Sequence, residues 1–158
     1  MLILGVDPGS VCMGYGIIET EPLSLVTFGV LRAPARSPLE SRLLTLFQKL
    51  EEVFLHYQPA AVAVEEPFVA ENPRAALAVG RAQAVAFLLT ARAGLPIYRY
   101  APTQVRRQVT SYGGGDKLQV QEMVRVLLGL DAAPQPTDAS DALAVALCHL
   151  LQERRACP

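Results

Sequence analysis

Residues 2–9 read Leu-Ile-Leu-Gly-Val-Asp-Pro-Gly, a short apolar run that ends in a carboxylate. The run is typical of a strand buried on both faces, and Pro8-Gly9 stops it. Functional groups gather at strand ends in α/β sheets, whereas a buried carboxylate is unfavourable unless it is paired, protonated or bound to a cation. Asp7 is therefore a candidate site residue, and the alternative is a turn residue before Pro-Gly.

A second strand of the same kind lies at residues 61–65, which read Ala-Val-Ala-Val-Glu and precede Glu66. The two strands can be neighbours in one sheet, and Asp7 and Glu65 would then lie close together. Because side chains alternate along a strand, only one of Glu65 and Glu66 faces the site. Glu65 ends the buried run and is the candidate, with Glu66 as the alternative.

The last helix carries two more carboxylates near its start, Asp138 and Asp141, and their spacing places them on one face. Residues 142–147 are apolar on nearly every side, so this helix must be buried. If its N-terminus lies against the two acidic strands, four carboxylates converge, and cations make that arrangement favourable. Oxygen ligands select hard ions such as Mg²⁺ or Mn²⁺ over zinc. The alternative is that Asp138 caps the helix and Asp141 is a favourable first-turn charge.

The rest of the chain alternates strands and helices. Residues 14–20 and 23–32 have the pattern of two strands that pair with the first as an antiparallel meander. The remaining predicted elements are a strand at 96–100, helices at 39–57, 72–93, 103–110, 116–128 and from 137 or 138 onward, and a flexible glycine turn at 113–115. This order predicts an α/β fold with a mixed sheet and helices on both faces.

Length and composition predict one domain over residues 1–158, with 51% hydrophobic residues to form its core. No stretch of about 20 residues lacks a charged side chain, which argues against a membrane span. The N-terminus has no basic flank of the kind that signal peptides carry. Three cysteines, Cys12, Cys148 and Cys157, lack metal-type spacing, so we expect a reduced, cytoplasmic protein with no membrane association.

Charge is unevenly distributed along the chain. The whole chain has a formal net charge of −1, but residues 72–130 carry eight basic and two acidic side chains, which is 8 − 2 = +6. The remainder carries six basic and thirteen acidic side chains, or −7. Such a separation favours a protein that binds a polyanion near acidic catalytic groups.

Three segments form a recognisable set. Residues 5–10 read Gly-Val-Asp-Pro-Gly-Ser and precede Gly14-Tyr15-Gly16, residues 63–68 read Ala-Val-Glu-Glu-Pro-Phe, and residues 138–144 read Asp-Ala-Ser-Asp-Ala-Leu-Ala. In this order and spacing they resemble the RuvC family of bacterial Holliday-junction resolvases. The resemblance covers essentially the whole chain.

The resemblance implies a fold, a reaction and a set of site residues. It implies an RNase H-like five-stranded sheet and hydrolysis of DNA phosphodiester bonds with two Mg²⁺ or Mn²⁺ ions, giving 5′-phosphate and 3′-hydroxyl ends. The residues that match the family's metal ligands and catalytic groups are Asp7, Glu65, Asp138 and Asp141. Phe68 matches an aromatic residue that stacks at the junction centre, and Arg106 and Lys117 match basic residues around the cut strand.

The resemblance also implies partners. Four-way junction DNA is the substrate, a homodimer supplies two symmetric sites, and a RuvA–RuvB branch-migration complex acts with the enzyme. The helix predicted at 72–93 has the small and apolar surface to serve as the dimer face, with Ala75, Ala76, Leu77, Val79, Ala82 and Phe87.

Two other functions fit parts of the sequence. An actin-like or sugar-kinase ATPase uses a similar acidic turn, but that fold needs two such domains. A non-catalytic junction-binding module of the same fold is the closer alternative. The four acidic positions argue against it, because a pure DNA binder gains nothing from a buried negative cluster.

Overall fold

The computed structural model describes residues 1–68, 72–111 and 115–156. Part of the predicted glycine turn (Gly113 and Gly114) and Cys157 lie outside these ranges. The described strands are β1 (Leu2–Asp7), β2 (Cys12–Thr20), β3 (Leu23–Arg32), β4 (Ala61–Glu65) and β5 (Ile97–Tyr100). The described helices are α1 (Leu39–Tyr57), α2 (Pro73–Arg92), α3 (Pro102–Thr110), α4 (Lys117–Leu127) and α5 (Thr137–Ala156).

The five strands form one mixed sheet in the order β3-β2-β1-β4-β5. The first three strands are an antiparallel meander, as predicted, and β1 and β5 both pair with β4 in parallel. Val6 is paired with Val64, so β1 and β4 end side by side. This register brings Asp7 and Glu65 to the same edge of the sheet.

Apolar side chains fill both faces of the sheet. On one face, Leu4 and Val6 of β1 pack with buried residues of α1 and α2 such as Leu50 and Val85. On the other face, Ile3 packs with residues of α3, α4 and α5 such as Leu143. The prediction of helices on both faces is therefore confirmed. Alternation along β1 places Asp7 on the same face as Ile3, where α5 lies.

Glycines allow α5 to lie directly on the backbone of the sheet. A Cβ at Gly5 would lie 2.0 Å from the carbonyl oxygen of Ala142. A Cβ at Gly14 would lie 1.9 Å from the carbonyl oxygen of Asp138. Any larger residue at either strand position would push α5 away, so these glycines set the height of the helix above the strands.

Helix starts agree with the predicted capping residues in two cases. Asn72 precedes α2 and accepts a hydrogen bond from the Ala75 N–H, and Asp116 forms a capping box with Gln119 at the start of α4. The alternative in which Asp138 caps the last helix is wrong, because α5 begins at Thr137 and Asp138 lies inside its first turn.

Helix α2 is the one described helix that is long and apolar enough to meet a length-and-hydropathy criterion for a membrane span. Its inner face is buried in the protein core. Ala76 and Ala82 belong to this inner face, so they do not contribute to an outer dimer surface. Leu77 and Leu88 are the large apolar side chains that α2 leaves exposed.

Candidate active site

Three carboxylates from two distant parts of the chain meet at the edge of the sheet. Asp7 ends β1, and Asp138 and Asp141 lie three residues apart on one face near the start of α5. One carboxylate oxygen from each lies within 4.8 Å of the others. The structure thus brings together three of the four carboxylates that the sequence singled out.

Glu65, the fourth carboxylate, stands beside this group at the end of β4. It lines a cavity of about 110 Å³ with Asp141, Arg106 and Lys117. Glu66 lines a neighbouring cavity with Asp7 and Phe68, but its charge is not among those that act on Asp7. The negative charges of Asp141 and Glu65 act on one another, so Glu65 is the glutamate that faces the group.

The raised pKa values of Asp7 and Glu65 show that four ionised carboxylates at this site are unfavourable without a cation. Burial raises the pKa of Asp7 to about 8, and the negative charges of Glu65, Asp141 and Asp138 add to the increase. Burial raises the pKa of Glu65 to about 7, with Asp141 adding to it. Near neutral pH, the carboxyl groups of Asp7 and Glu65 are therefore partly protonated.

The donor chemistry fits a hard divalent cation. The group offers only carboxylate oxygens, and mutual repulsion together with burial gives these oxygens a strong affinity for positive charge. The charges of Glu65 on the neighbouring strand and of both aspartates on α5 act on Asp7, so a cation bound at Asp7 would be stabilised by all four carboxylates. Binding of a cation would displace the protons that these groups hold.

Lys117 and Cys12 contact the two aspartates of α5. The Lys117 Nζ lies 2.8 Å from Asp141 Oδ2, in an ion pair that draws this lysine into the site. The Cys12 thiol donates a hydrogen bond to Asp138 Oδ2 at 3.2 Å. Burial raises the pKa of the Cys12 thiol, and its hydrogen bond to Asp138 adds to the increase, so the group stays protonated and able to donate.

Cys12 and Gln83 are site residues that the sequence motifs do not identify. Cys12 lies two residues before Gly14 on β2, so its side chain projects to the same face of the sheet as Gly14. Alternation along the strand would have indicated this once β2 was known to begin at Cys12. Gln83 is a buried residue of α2 whose Nε2 donates to the carbonyl of Glu65 at 3.3 Å. No local pattern distinguishes this glutamine from one on a solvated helix face.

Phe68 lies at the surface beside the carboxylates. Its side chain is 55% exposed, and it lines a cavity of about 140 Å³ together with Asp7 and Glu65. A phenylalanine that filled the core would be almost fully covered. Phe68 is therefore not a core residue.

Comparison with known proteins agrees with the motifs and the fold. A family model described as "Crossover junction endodeoxyribonuclease RuvC" matches residues 3–149. The chain belongs to the RuvC family. The RuvC proteins of Dehalococcoides mccartyi and Chloroflexus aggregans are 51% and 49% identical to it over 151 residues, which is 94% of this chain and 90% and 92% of theirs.

Solved structures confirm the RNase H-like fold. Thermus thermophilus RuvC in complex with a Holliday junction substrate matches with a TM-score of 0.91 and 33% identity, over 99% of this chain and 96% of that chain. The yeast mitochondrial Holliday junction resolvase Ydc2 matches with a TM-score of 0.62 and 15% identity, which shows the shared fold alone. Membership of the RuvC family also removes the ATPase alternative.

Proposed function

We propose that this protein is a structure-specific endodeoxyribonuclease that resolves four-way (Holliday) DNA junctions by paired symmetric nicks, in homologous recombination and DNA repair. The observation that carries the proposal is the convergence of Asp7, Asp138 and Asp141 within 4.8 Å, with Glu65 alongside, in a chain of the RuvC family. A module that only bound DNA would lose affinity from this negative cluster. The catalytic function is therefore preferred to the non-catalytic alternative.

The ligands of the metal centre are Asp7, Glu65, Asp138 and Asp141, and two Mg²⁺ or Mn²⁺ ions are the proposed cofactors. Bound by these residues, divalent ions would supply an activated water and would stabilise the charge on the leaving 3′ oxygen. The products are then a 5′-phosphate and a 3′-hydroxyl, which a ligase can join.

The chain's own residues hold the reacting groups in place. Asp7 is fixed because β1 pairs on both sides, and Asp138 and Asp141 are fixed because α5 packs against the sheet backbone. Cys12 orients one oxygen of Asp138 through its thiol hydrogen bond. Such support keeps the carboxylates in one geometry before the substrate arrives.

Arg106 and Lys117 supply the positive charge that a phosphate needs to approach four carboxylates. Both line the cavity that also contains Glu65 and Asp141. Lys117 makes its ion pair with Asp141 through a side chain that is 59% exposed, so its amine can also turn toward a phosphate at the cavity mouth. We assign both residues to the DNA strand that is cut.

Phe68 is assigned to the junction centre. Its exposed ring next to Asp7 and Glu65 can stack on a base that is unpaired where the four arms meet. Base–aromatic stacking contributes about 1–3 kcal/mol per base and tolerates any sequence.

Assembly and location complete the proposal. A four-way junction needs two symmetric nicks, and a two-fold homodimer supplies two sites. The exposed Leu77 and Leu88 of α2 support a dimer face on this helix. We further propose that residues 1–158 form a single RNase H-like nuclease domain, that the protein acts in the cytoplasm, and that a RuvA–RuvB branch-migration complex is its partner.

One assay tests this function. A mobile four-way junction, labelled on each strand in turn, is incubated with the protein in Mg²⁺, in Mn²⁺ or in EDTA. We expect symmetric nicks with ligatable ends in either metal and none in EDTA. Junction binding without nicking in both metals would favour the non-catalytic module instead.

A further inference from the structure

Arg32 is a basic residue on the side of the metal centre that lies away from Lys117. It ends β3, and its Cα is paired with that of Cys12 on β2. Residues that are opposite each other in an antiparallel pair project to the same face of the sheet. The Cys12 side chain reaches Asp138 on the α5 face, so the Arg32 side chain leaves β3 on that same face.

The backbone on both sides of the Arg32 side chain is held by hydrogen bonds. The Arg32 carbonyl accepts a hydrogen bond from Lys49 Nζ at 2.7 Å, and the next N–H, of Ala33, donates to Val11 at 2.9 Å. The residue itself is exposed. Within residues 1–68, 72–111 and 115–156, its guanidinium makes no hydrogen bond and no ion pair. A firmly held backbone that carries an accessible charged side chain suits recognition of an external anion.

The position of Arg32 complements that of Arg106 and Lys117. Arg106 and Lys117 line a cavity with Glu65 of β4, on one side of β1. Arg32 lies on β3, the edge strand on the other side of β1 in the order β3-β2-β1-β4-β5. Strand β3 is two strand spacings, about 10 Å, from β1 and Asp7. An extended arginine at that distance can reach phosphates adjacent to the one at the carboxylates.

We propose, on the basis of the function proposed above, that Arg32 binds a backbone phosphate of the junction strand on the β3 side of the metal centre. The bound strand would then be held by positive charge on both sides of the bond that is cut. The strongly positive segment of the sequence is residues 72–130, and Arg32 lies outside that segment. Only the pairing of β3 with β2 brings it to the site.

Salt dependence of junction binding tests this inference, measured in EDTA so that no strand is cut. Loss of one phosphate contact in Arg32→Ala should reduce the slope of log affinity against log salt by roughly 0.9. The affinity ratio of wild type to variant should accordingly shrink by about 3.5-fold for a fourfold increase in salt. Arg32→Lys should recover most of the slope, because the charge is retained.

Arg154→Ala is the matched control, because it removes the same charge at the C-terminal end of α5, far from Asp138, where Arg154 donates a hydrogen bond to the carbonyl of Thr20. Its slope should equal that of the wild type. An unchanged slope in Arg32→Ala, or an equal reduction in Arg154→Ala, would overturn the inference. Melting temperatures equal to that of the wild type show that the variants are folded. Nicking by the wild type separates the two proposals: a wild type that fails to nick refutes the function, whereas an unchanged Arg32 slope refutes only this contact.

Discussion

Gly14 and Asp138 approach each other so closely that a Cβ at Gly14 would lie 1.9 Å from the Asp138 carbonyl oxygen. Gly14 is also the cross-strand partner of Asp7. One glycine thus contacts both parts of the carboxylate group, the end of β1 and the start of α5. The absence of a side chain at Gly14 determines how near Asp138 comes to Asp7.

Gly14→Ala should lower both stability and activity. The added methyl group meets backbone atoms that cannot rotate away, so α5 must shift, at a cost of about 1–3 kcal/mol or more. Thermal melting and metal-dependent nicking measure the two effects. Gly29→Ala is the control, because the nearest atoms there belong to the Tyr15 side chain at 3.0 Å, which can move. Equal losses in the two variants would argue against a special role for Gly14.

Asp7→Asn should abolish nicking and preserve junction binding, because it removes a proposed metal ligand and leaves the basic residues intact. The same change should raise the melting temperature in EDTA at about pH 8, since a neutral amide replaces a carboxylate that is repelled by three neighbours. Nicking, gel-shift and melting assays measure these effects. A loss of binding as large as the loss of cleavage would mean that Asp7 has a structural role.

The metal-free protein should lose stability as pH rises through the neutral range. Asp7 and Glu65 have raised pKa values of about 8 and about 7 in the folded state, against 3.8 and 4.5 ordinarily, so the folded state binds more protons in that window. The stability that these two groups contribute is fully present below the pKa values of the unfolded state. It is lost as the pH rises through the pKa values of the folded state.

Melting curves in EDTA from about pH 5 to pH 9 measure this effect, and the difference between wild type and Asp7→Asn isolates the contribution of Asp7. Because a divalent cation displaces the same protons, Mg²⁺ should raise the melting temperature more at the alkaline end. A metal-induced shift that is independent of pH would contradict the proposed ligand set.

Phe68→Ala should leave melting nearly unchanged, because the ring is 55% exposed. Loss of a buried phenylalanine would instead cost about 3–5 kcal/mol. The variant should cut intact four-way junctions poorly, and a junction that already contains unpaired bases should partly restore the rate. Equal losses on the two substrates would remove Phe68 from the junction centre.

Arg106→Ala and Lys117→Ala should each reduce the salt slope of junction binding by roughly 0.9, as expected for one phosphate contact. Lys117→Ala should have a second effect. Burial raises the pKa of Asp141, and the hydrogen bond and charge of Lys117 oppose that increase. The Lys117 variant should therefore need a higher pH for metal-dependent nicking, whereas unchanged slopes in both variants would place these residues away from DNA.

Much of the fold follows from local sequence alone. The bounds predicted for β1, β3, α1 and β4 are those observed, because each element is an apolar run or a helical repeat that glycine or proline ends. Small differences occur at element starts: β2 begins at Cys12 rather than Gly14, and α3 begins at Pro102, which is favourable in a first helical turn. The acidic residues were identifiable for the same reason, since they end buried strands or begin a buried helix.

Tertiary structure alone decided which side chains meet. The contacts of Cys12 with Asp138, Gln83 with Glu65 and Lys117 with Asp141 join residues that are far apart in the chain. Hydrophobic periodicity shows which face of an element is buried, but it does not specify the register between strands or the point where a helix docks on a sheet. Those depend on close packing at positions such as Gly14, where the backbones of two elements touch.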